Sequence, residues 1–301
     1  MRTLAGEGII AAMNPSSSPL SLVEAHGQPC VSLRLPAGDR ALVALHGAHL
    51  LSWQTADGAE RLYLSPKAVF DGQAAIRGGV PVCFPQFAGR GPLPKHGFAR
   101  NRPWQQAQAK QSAGEARAVL RLRDDEATRA LWPHAFVARL DLRLRAGELE
   151  MILTIDNPGD GGFSFTAALH GYLHVAAIAD ARLHGLDGSA YHDSVDGSSK
   201  TQPPSALTIE GEVDRIYPRP AGRLRLVQRD GSLRIAQSRS FTDTVVWNPG
   251  AKLCATMADM PAGGHRQMLC VEAGRITEPA LLAPGRRWRG WQRLTVEDPA
   301  A

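Results

Sequence analysis

The sequence predicts an all-β protein, a large antiparallel β-sandwich, and three observations carry that prediction. Apolar and polar residues alternate with period two in segment after segment, as half-buried strands do, while no stretch keeps the 3.6-residue period of a long helix. The alternating segments recur at short intervals with Gly, Pro and Asp between them. They do not alternate with helices, which a parallel sheet would need for its crossovers.

In chain order, residues 1–19 lack a long apolar run and end in Asn14-Pro-Ser-Ser-Ser-Pro19, which predicts a loose N-terminal extension before the fold. Residues 20–301 then read as one domain, since no linker-like tract or fixed-period repeat divides them. The first clear strand is CVSLRL at 30–35. Residues 65–104 lose the alternation and gain glycine, proline and isolated polar residues, which predicts long ordered loops interrupted by an apolar strand at 80–84. Strands follow at 118–123 (AVLRLR), 136–145 (FVARLDLRLR) and 149–155 (LEMILTI), the last two joined through Ala146-Gly147-Glu148. A further pair, RLRLV at 223–227 and LRIAQ at 233–237, turns at Asp230-Gly231, a favoured short-turn dipeptide.

Composition narrows the function classes. With 301 residues and 44% hydrophobic content the chain can bury a core without disulfides or a structural metal. Its net charge is +5 and its basic residues are nearly all arginine, which invites a nucleic-acid reading. The arginines nevertheless alternate with apolar residues and aspartate, as in Arg139-Leu-Asp-Leu-Arg143-Leu-Arg145, so a solvated sheet face explains them better and no nucleic-acid partner is expected. Anionic small substrates would still be attracted. Cys30, Cys83, Cys254 and Cys270 sit singly in apolar stretches with no CxxC pair, as buried reduced thiols do. No stretch of eighteen apolar residues or secretory leader is visible, so a cytoplasmic protein without a membrane partner is expected. A monomer is the expected state.

Several residues stand out chemically. Arg77-Gly78-Gly79 and Lys95-His96-Gly97-Phe98-Ala99-Arg100 lie in the loop-rich stretch, where glycine lets backbone and ligand approach closely and two arginines could clamp a phosphate. Two surface arginines near turns remain the plainer alternative. His170 lies in an apolar, partly aromatic strand, where a histidine is a satisfied core residue or a catalyst. Its four-residue spacing from His174 imitates a helical zinc motif, but the following Glu is missing and the segment reads as strand, so no metal is expected. Glu272 follows Leu269-Cys-Val271 and alternation puts it on the face opposite Leu269 and Val271, either solvated or buried with a partner. Asp214 and Asp243 are further carboxylates close to aromatic residues, a combination that suits a sugar. No nucleotide-binding glycine loop, serine nucleophile elbow or metal cluster competes.

Taken in order, these segments resemble the hexose-6-phosphate mutarotases, or glucose-6-phosphate 1-epimerases, within the aldose 1-epimerase family. The likeness rests on Gly47-Ala-His-Leu-Leu-Ser-Trp53, Leu64-Ser-Pro66, Ile76-Arg-Gly-Gly-Val-Pro81, Phe84-Pro-Gln-Phe87 and His96-Gly-Phe-Ala-Arg100 with Trp104. It continues through Ala168-Leu-His170, Asp214-Arg-Ile-Tyr217, Val245-Val-Trp-Asn-Pro249, Asp259, Cys270-Val-Glu272 and Pro284-Gly285 with Trp288 and Gly290. The resemblance implies a galactose mutarotase-like supersandwich that interconverts the α and β anomers of a hexose 6-phosphate without a cofactor. It places His170 at the acid position and Glu272 at the base position. It puts Arg77, His96, Arg100 and Asp214 at substrate-binding positions, and Lys95 stands beside them. Lys95 stands where relatives usually carry Gln and Gly171 where they usually carry Thr, and Gly250-Ala-Lys252 lacks an expected aromatic. Other outcomes compatible with the pattern are a mutarotase of non-phosphorylated aldoses and a non-catalytic carbohydrate-binding module.

Overall fold

A computed structural model describes residues 20–220 and 222–297; the predicted N-terminal extension at 1–19 lies outside the described residues. The expected all-β architecture is present, and the described residues form three antiparallel sheets. A four-stranded meander runs through Leu20–Ala25, Gln28–Arg34, Arg40–Ala44 and His49–Gln54. One eight-stranded sheet has Asp243–Asn248, Met268–Leu282 and Phe163–Leu169 as adjacent strands, continuing through Val213–Pro218 on one side and Val82–Cys83 on the other. The second eight-stranded sheet is centred on Gly231–Gln237, Arg287–Glu297, Glu148–Asp156, Val137–Arg145 and Ala116–Arg123.

Alternation explains why these segments are strands and which face each buries. In the second large sheet Leu140, Leu142 and Leu144 point inward with Leu149, Met151, Leu153 and Ile155 of the neighbouring strand. They join Leu33, Val43 and Leu50 of the meander and Leu269, Val271 and Ala273 of the first large sheet in one continuous core. Each such side chain taken from water contributes about 2 kcal/mol, which is what holds the sheets face to face. On the outward face the arginines meet carboxylates across strands. Arg117 reaches Asp141 at 2.7 Å, Arg293 reaches Glu150 at 2.6 Å, and Arg143 lies near both acids. The arginine-rich pattern is therefore a cross-strand ion-pair lattice, as the alternation with aspartate implied.

Two expectations need adjustment. The apolar strand at 80–84 is reduced to Val82–Cys83, because Val80 and Phe84 instead make isolated bridges to Leu50 and Gly97 that stitch the loops to the meander. His170 does not sit inside a continuous strand: Phe163–Leu169 ends just before it and Tyr172–His174 begins just after Gly171. The break arises because the His170 and Tyr172 amides donate to Pro81 and Gly79 of the loop stretch rather than continuing one ladder. Among the described residues helix is confined to short pieces, the longest being Glu126–Leu131, started by a reciprocal Asp125–Thr128 cap.

Candidate active site

The central strand Met268–Leu282 carries two chemistries on its two faces. Leu269, Val271 and Ala273 face the main core, so Cys270 and Glu272 must face the other way. Register extends that second face sideways: Cys270 stands opposite both Trp247 and Tyr172, and Trp247 stands opposite Asp214. Glu272 stands opposite Val245, which stands opposite Ile216. Alternation thus placed Glu272 on the correct face, yet the carboxylate is not solvated there. Loops from residues 65–104 cover that face and leave Glu272 1% exposed.

Beneath the loops His170 Nε2 lies 3.3 Å from Glu272 Oε1. The other ring nitrogen of His170 and the other oxygen of Glu272 are buried without a hydrogen-bond partner. Burial, together with His96, Arg100 and Arg77, lowers the His170 pKa well below the ordinary imidazole range. Burial, with Asp214 nearby, raises the Glu272 pKa well above the carboxylate range despite Arg100. Both shifts favour the uncharged forms, so a single proton shared by the pair rests on the carboxyl group.

The walls are built by the two motifs singled out in sequence. His96 is buried with its ring edge-on to His170, centroids 5.3 Å apart. Its Nδ1 accepts the Ala88 amide at 3.3 Å, which leaves the proton of the neutral ring on Nε2. Burial and the charges of Arg100, Lys95 and Arg77 push its pKa down to about 3, so it is a neutral donor. The Arg77 guanidinium donates to Tyr172 Oη at 2.9 Å and pairs with Asp259 at 3.0 Å. Arg100 donates to the Lys95 carbonyl at 2.9 Å and keeps its Nε buried without a partner. Lys95 itself is exposed at the rim, and its charge opposes the rise that burial gives the half-buried Asp214 carboxyl. All seven sequence-predicted residues therefore converge, with His170, Glu272 and His96 inside and the charged groups around them.

The glycines beside Arg77 have a different purpose from the one expected. A Cβ on Gly79 would lie 2.1 Å from the Leu50 carbonyl, and one on Gly78 would lie 2.4 Å from that of Tyr63. They admit the chain's own backbone, not a ligand. Gly97 likewise passes 2.2 Å from the Phe84 carbonyl if given a Cβ. Asp243 also proves structural: its carboxylate accepts the Ile276 and Thr277 amides and the Thr277 hydroxyl.

Sequence reasoning missed Tyr172 and Trp247 as parts of the site. Tyr172 stacks on His170 with centroids 5.0 Å apart and planes 12° from parallel, and Trp247 stands 6.3 Å away edge-on. Tyr172 was legible only as an aromatic two residues beyond His170, and strand period two would have placed it on the same side had the break at His170 not intervened. Aromatic faces beside convergent polar groups match a sugar's apolar C–H face and polar rim.

Comparison with known proteins agrees with this layout. The aldose 1-epimerase family model matches residues 29–295. A protein of Cenchrus ciliaris provisionally named glucose-6-phosphate 1-epimerase is 35% identical over 260 residues, covering 83% of this chain and 79% of that one. One of the same provisional name from Escherichia coli K12 is 35% identical over 266 residues, covering 87% and 84%. The crystal structure of YeaD from Salmonella typhimurium, provisionally called a mutarotase, superposes with a TM-score of 0.87 at 30% identity over 96% of this chain and 97% of that one. The match runs from the meander to the last long strand and takes in both faces of the central sheet, so the chain belongs to the aldose 1-epimerase family.

Proposed function

We propose that this protein interconverts the α and β anomers of a hexose 6-phosphate, glucose 6-phosphate foremost, by acid–base ring opening and reclosure. One observation carries the chemistry: two buried titratable groups, His170 and Glu272, lie 3.3 Å apart on a face lined by aromatic and basic side chains. Anomerisation needs one proton taken from the C1 hydroxyl and one given to the ring oxygen. A pair sharing a single proton can do both.

In the assignment implied by the family, Glu272 is the base and His170 the acid. The shared proton crosses to His170 over the short contact as the sugar binds. Ring opening then breaks C1–O5 and forms the C1 aldehyde. The C1 hydroxyl proton passes to Glu272 and the His170 proton to O5. That step restores the uncharged pair, the distribution that burial favours, so the closed site pulls the reaction toward the open chain. Rotation about C1–C2 and the reverse transfers close the ring on its other face. His96, a neutral donor, and Asp214 hold hydroxyls, and Arg77 and Arg100 with Lys95 hold the phosphate. No metal or redox cofactor is needed for these steps. The free, buried cysteines support a reducing compartment, such as the cytoplasm, as the place of the reaction.

Exchange NMR on glucose 6-phosphate and on glucose tests the reading. The protein accelerates interconversion of the phosphorylated sugar more, and His170→Asn and Glu272→Gln each lower the rate by about a hundredfold to ten-thousandfold while the circular dichroism spectrum is kept. Equal acceleration of both sugars would replace the phosphate assignment by a general aldose mutarotase. Sugar binding with no acceleration would leave a carbohydrate-binding module.

A further inference from the structure

The mechanism above uses two side chains of a three-member cluster. Cys270 sits two residues before Glu272 on the same strand face, and one ligand atom from each of His170, Cys270 and Glu272 falls within 4.8 Å of the others. The Cys270 side chain is fully buried and its thiol faces the acid–base pair rather than the main core. One imidazole nitrogen, one sulfur and one carboxylate oxygen form the donor set of a three-ligand zinc site with a free fourth position. Around a tetrahedral zinc ion adjacent ligand atoms stand roughly 3.3 to 3.8 Å apart, so small side-chain rotations bring these three onto one ion.

We propose that His170, Cys270 and Glu272 bind Zn2+ as an inhibitory ion that competes with the sugar. On binding, the Cys270 S–H bond and the O–H bond of the protonated Glu272 carboxyl both break, their two protons leave to water, and the thiolate takes the ion beside the Glu272 carboxylate and the neutral His170 ring. Two anionic ligands cancel the charge of the dication. The nearby guanidinium groups of Arg77 and Arg100 therefore face a filled site no more positive than before. The sulfur and nitrogen donors select zinc, cadmium or cobalt(II) over magnesium and calcium, which prefer oxygen. Held by the ion, His170 and Glu272 exchange no protons, and the sugar's C1–O5 edge has no place between them. The inhibition rests on the acid–base reading, whereas the binding does not.

Two measurements test this on the metal-stripped full chain. Adding Co2+ to the wild type produces the intense thiolate-to-cobalt charge-transfer absorption of a sulfur-bound tetrahedral ion, and Cys270→Ala abolishes it. Zn2+ inhibits anomer exchange competitively with glucose 6-phosphate while Mg2+ does not, and Cys270→Ala, judged against its own uninhibited rate, needs about 100-fold more Zn2+ for the same inhibition. Cys270→Ser serves as the second variant if alanine destabilises the strand. A missing charge-transfer band in the wild type, or a band that survives both Cys270 variants, overturns the site. Zinc inhibition that is unchanged in those variants overturns it as well. If the protein accelerates neither sugar, the function reading fails and the cobalt spectrum still decides the metal site.

Discussion

Gly171 shows how a single missing side chain leaves a polar atom stranded. Gln292 donates its amide to the Val271 carbonyl at 3.1 Å, but its Oε1 is buried without a partner. A Cβ at Gly171 would stand 3.8 Å from that oxygen and meet nothing closer than 3.7 Å, and the Gly171 φ lies outside the left-handed region. Gly171→Ser can therefore place a hydroxyl donor on Gln292 Oε1 while also reducing the freedom of the unfolded chain. The expected result is a gain of about 1 kcal/mol, read as a melting temperature higher by about 2 °C. Gly79 is the opposite case. It combines φ 58° with a Cβ position 2.1 Å from the Leu50 carbonyl. Gly79→Ala is expected to cost about 3 kcal/mol or more, visible as a lowered urea midpoint, because the opposing atom is backbone and cannot rotate away. The two glycines look alike in the sequence. Only their neighbours in space separate them.

At the level of elements, the site is one strand face covered by loops. Met268–Leu282 fixes where Cys270 and Glu272 point, and its neighbours add Trp247, Asp214 and Tyr172 in register. The loops bring the charges, and Arg77 is tied in place by Asp259, which also accepts Ser65 Oγ through its backbone carbonyl at 2.6 Å. Asp259→Asn weakens the clamp on Arg77 without removing a group that meets the sugar. It should raise KM for glucose 6-phosphate about tenfold with a smaller change in kcat, as loss of ground-state positioning does, and steady-state anomer assays at varied substrate check it. Asp259 stood in the sequence as one motif residue among many. Its partnership with a loop 182 positions away was not legible, because an ion pair between distant segments leaves no local period.

Over the whole molecule, buried neutral histidines tie stability to pH. Burial lowers the pKa values of His46, His49, His96 and His170, with His49 at about 4 while its Nε2 meets the Gly78 carbonyl at 2.7 Å. These groups stay neutral in the fold but protonate near pH 6.5 once unfolded. Their contribution is whole above that pH and is lost as pH falls from 6.5 toward 4; His49 alone accounts for about 3 kcal/mol across that span. Glu272 and Asp214 act in the opposite sense, since their raised values make the fold bind protons, but the histidines outnumber them. Thermal melts should therefore show a lower melting temperature at pH 5 than at pH 7.5, and a flat profile would refute the account. The sequence by itself determined the all-β class, the outward arginine lattice, the face of the central strand on which Glu272 lies, and, through motif order, the family. These are local or cumulative signals, since period two is set by backbone geometry within a few residues. Tertiary structure alone decided that this face is covered rather than solvated, that His170 stands at a break against Glu272, and that Cys270 completes a cluster with them. Each of those depends on loops and strands far apart in the chain arriving at one place, and burial, which sets their chemistry, is a property of that arrival.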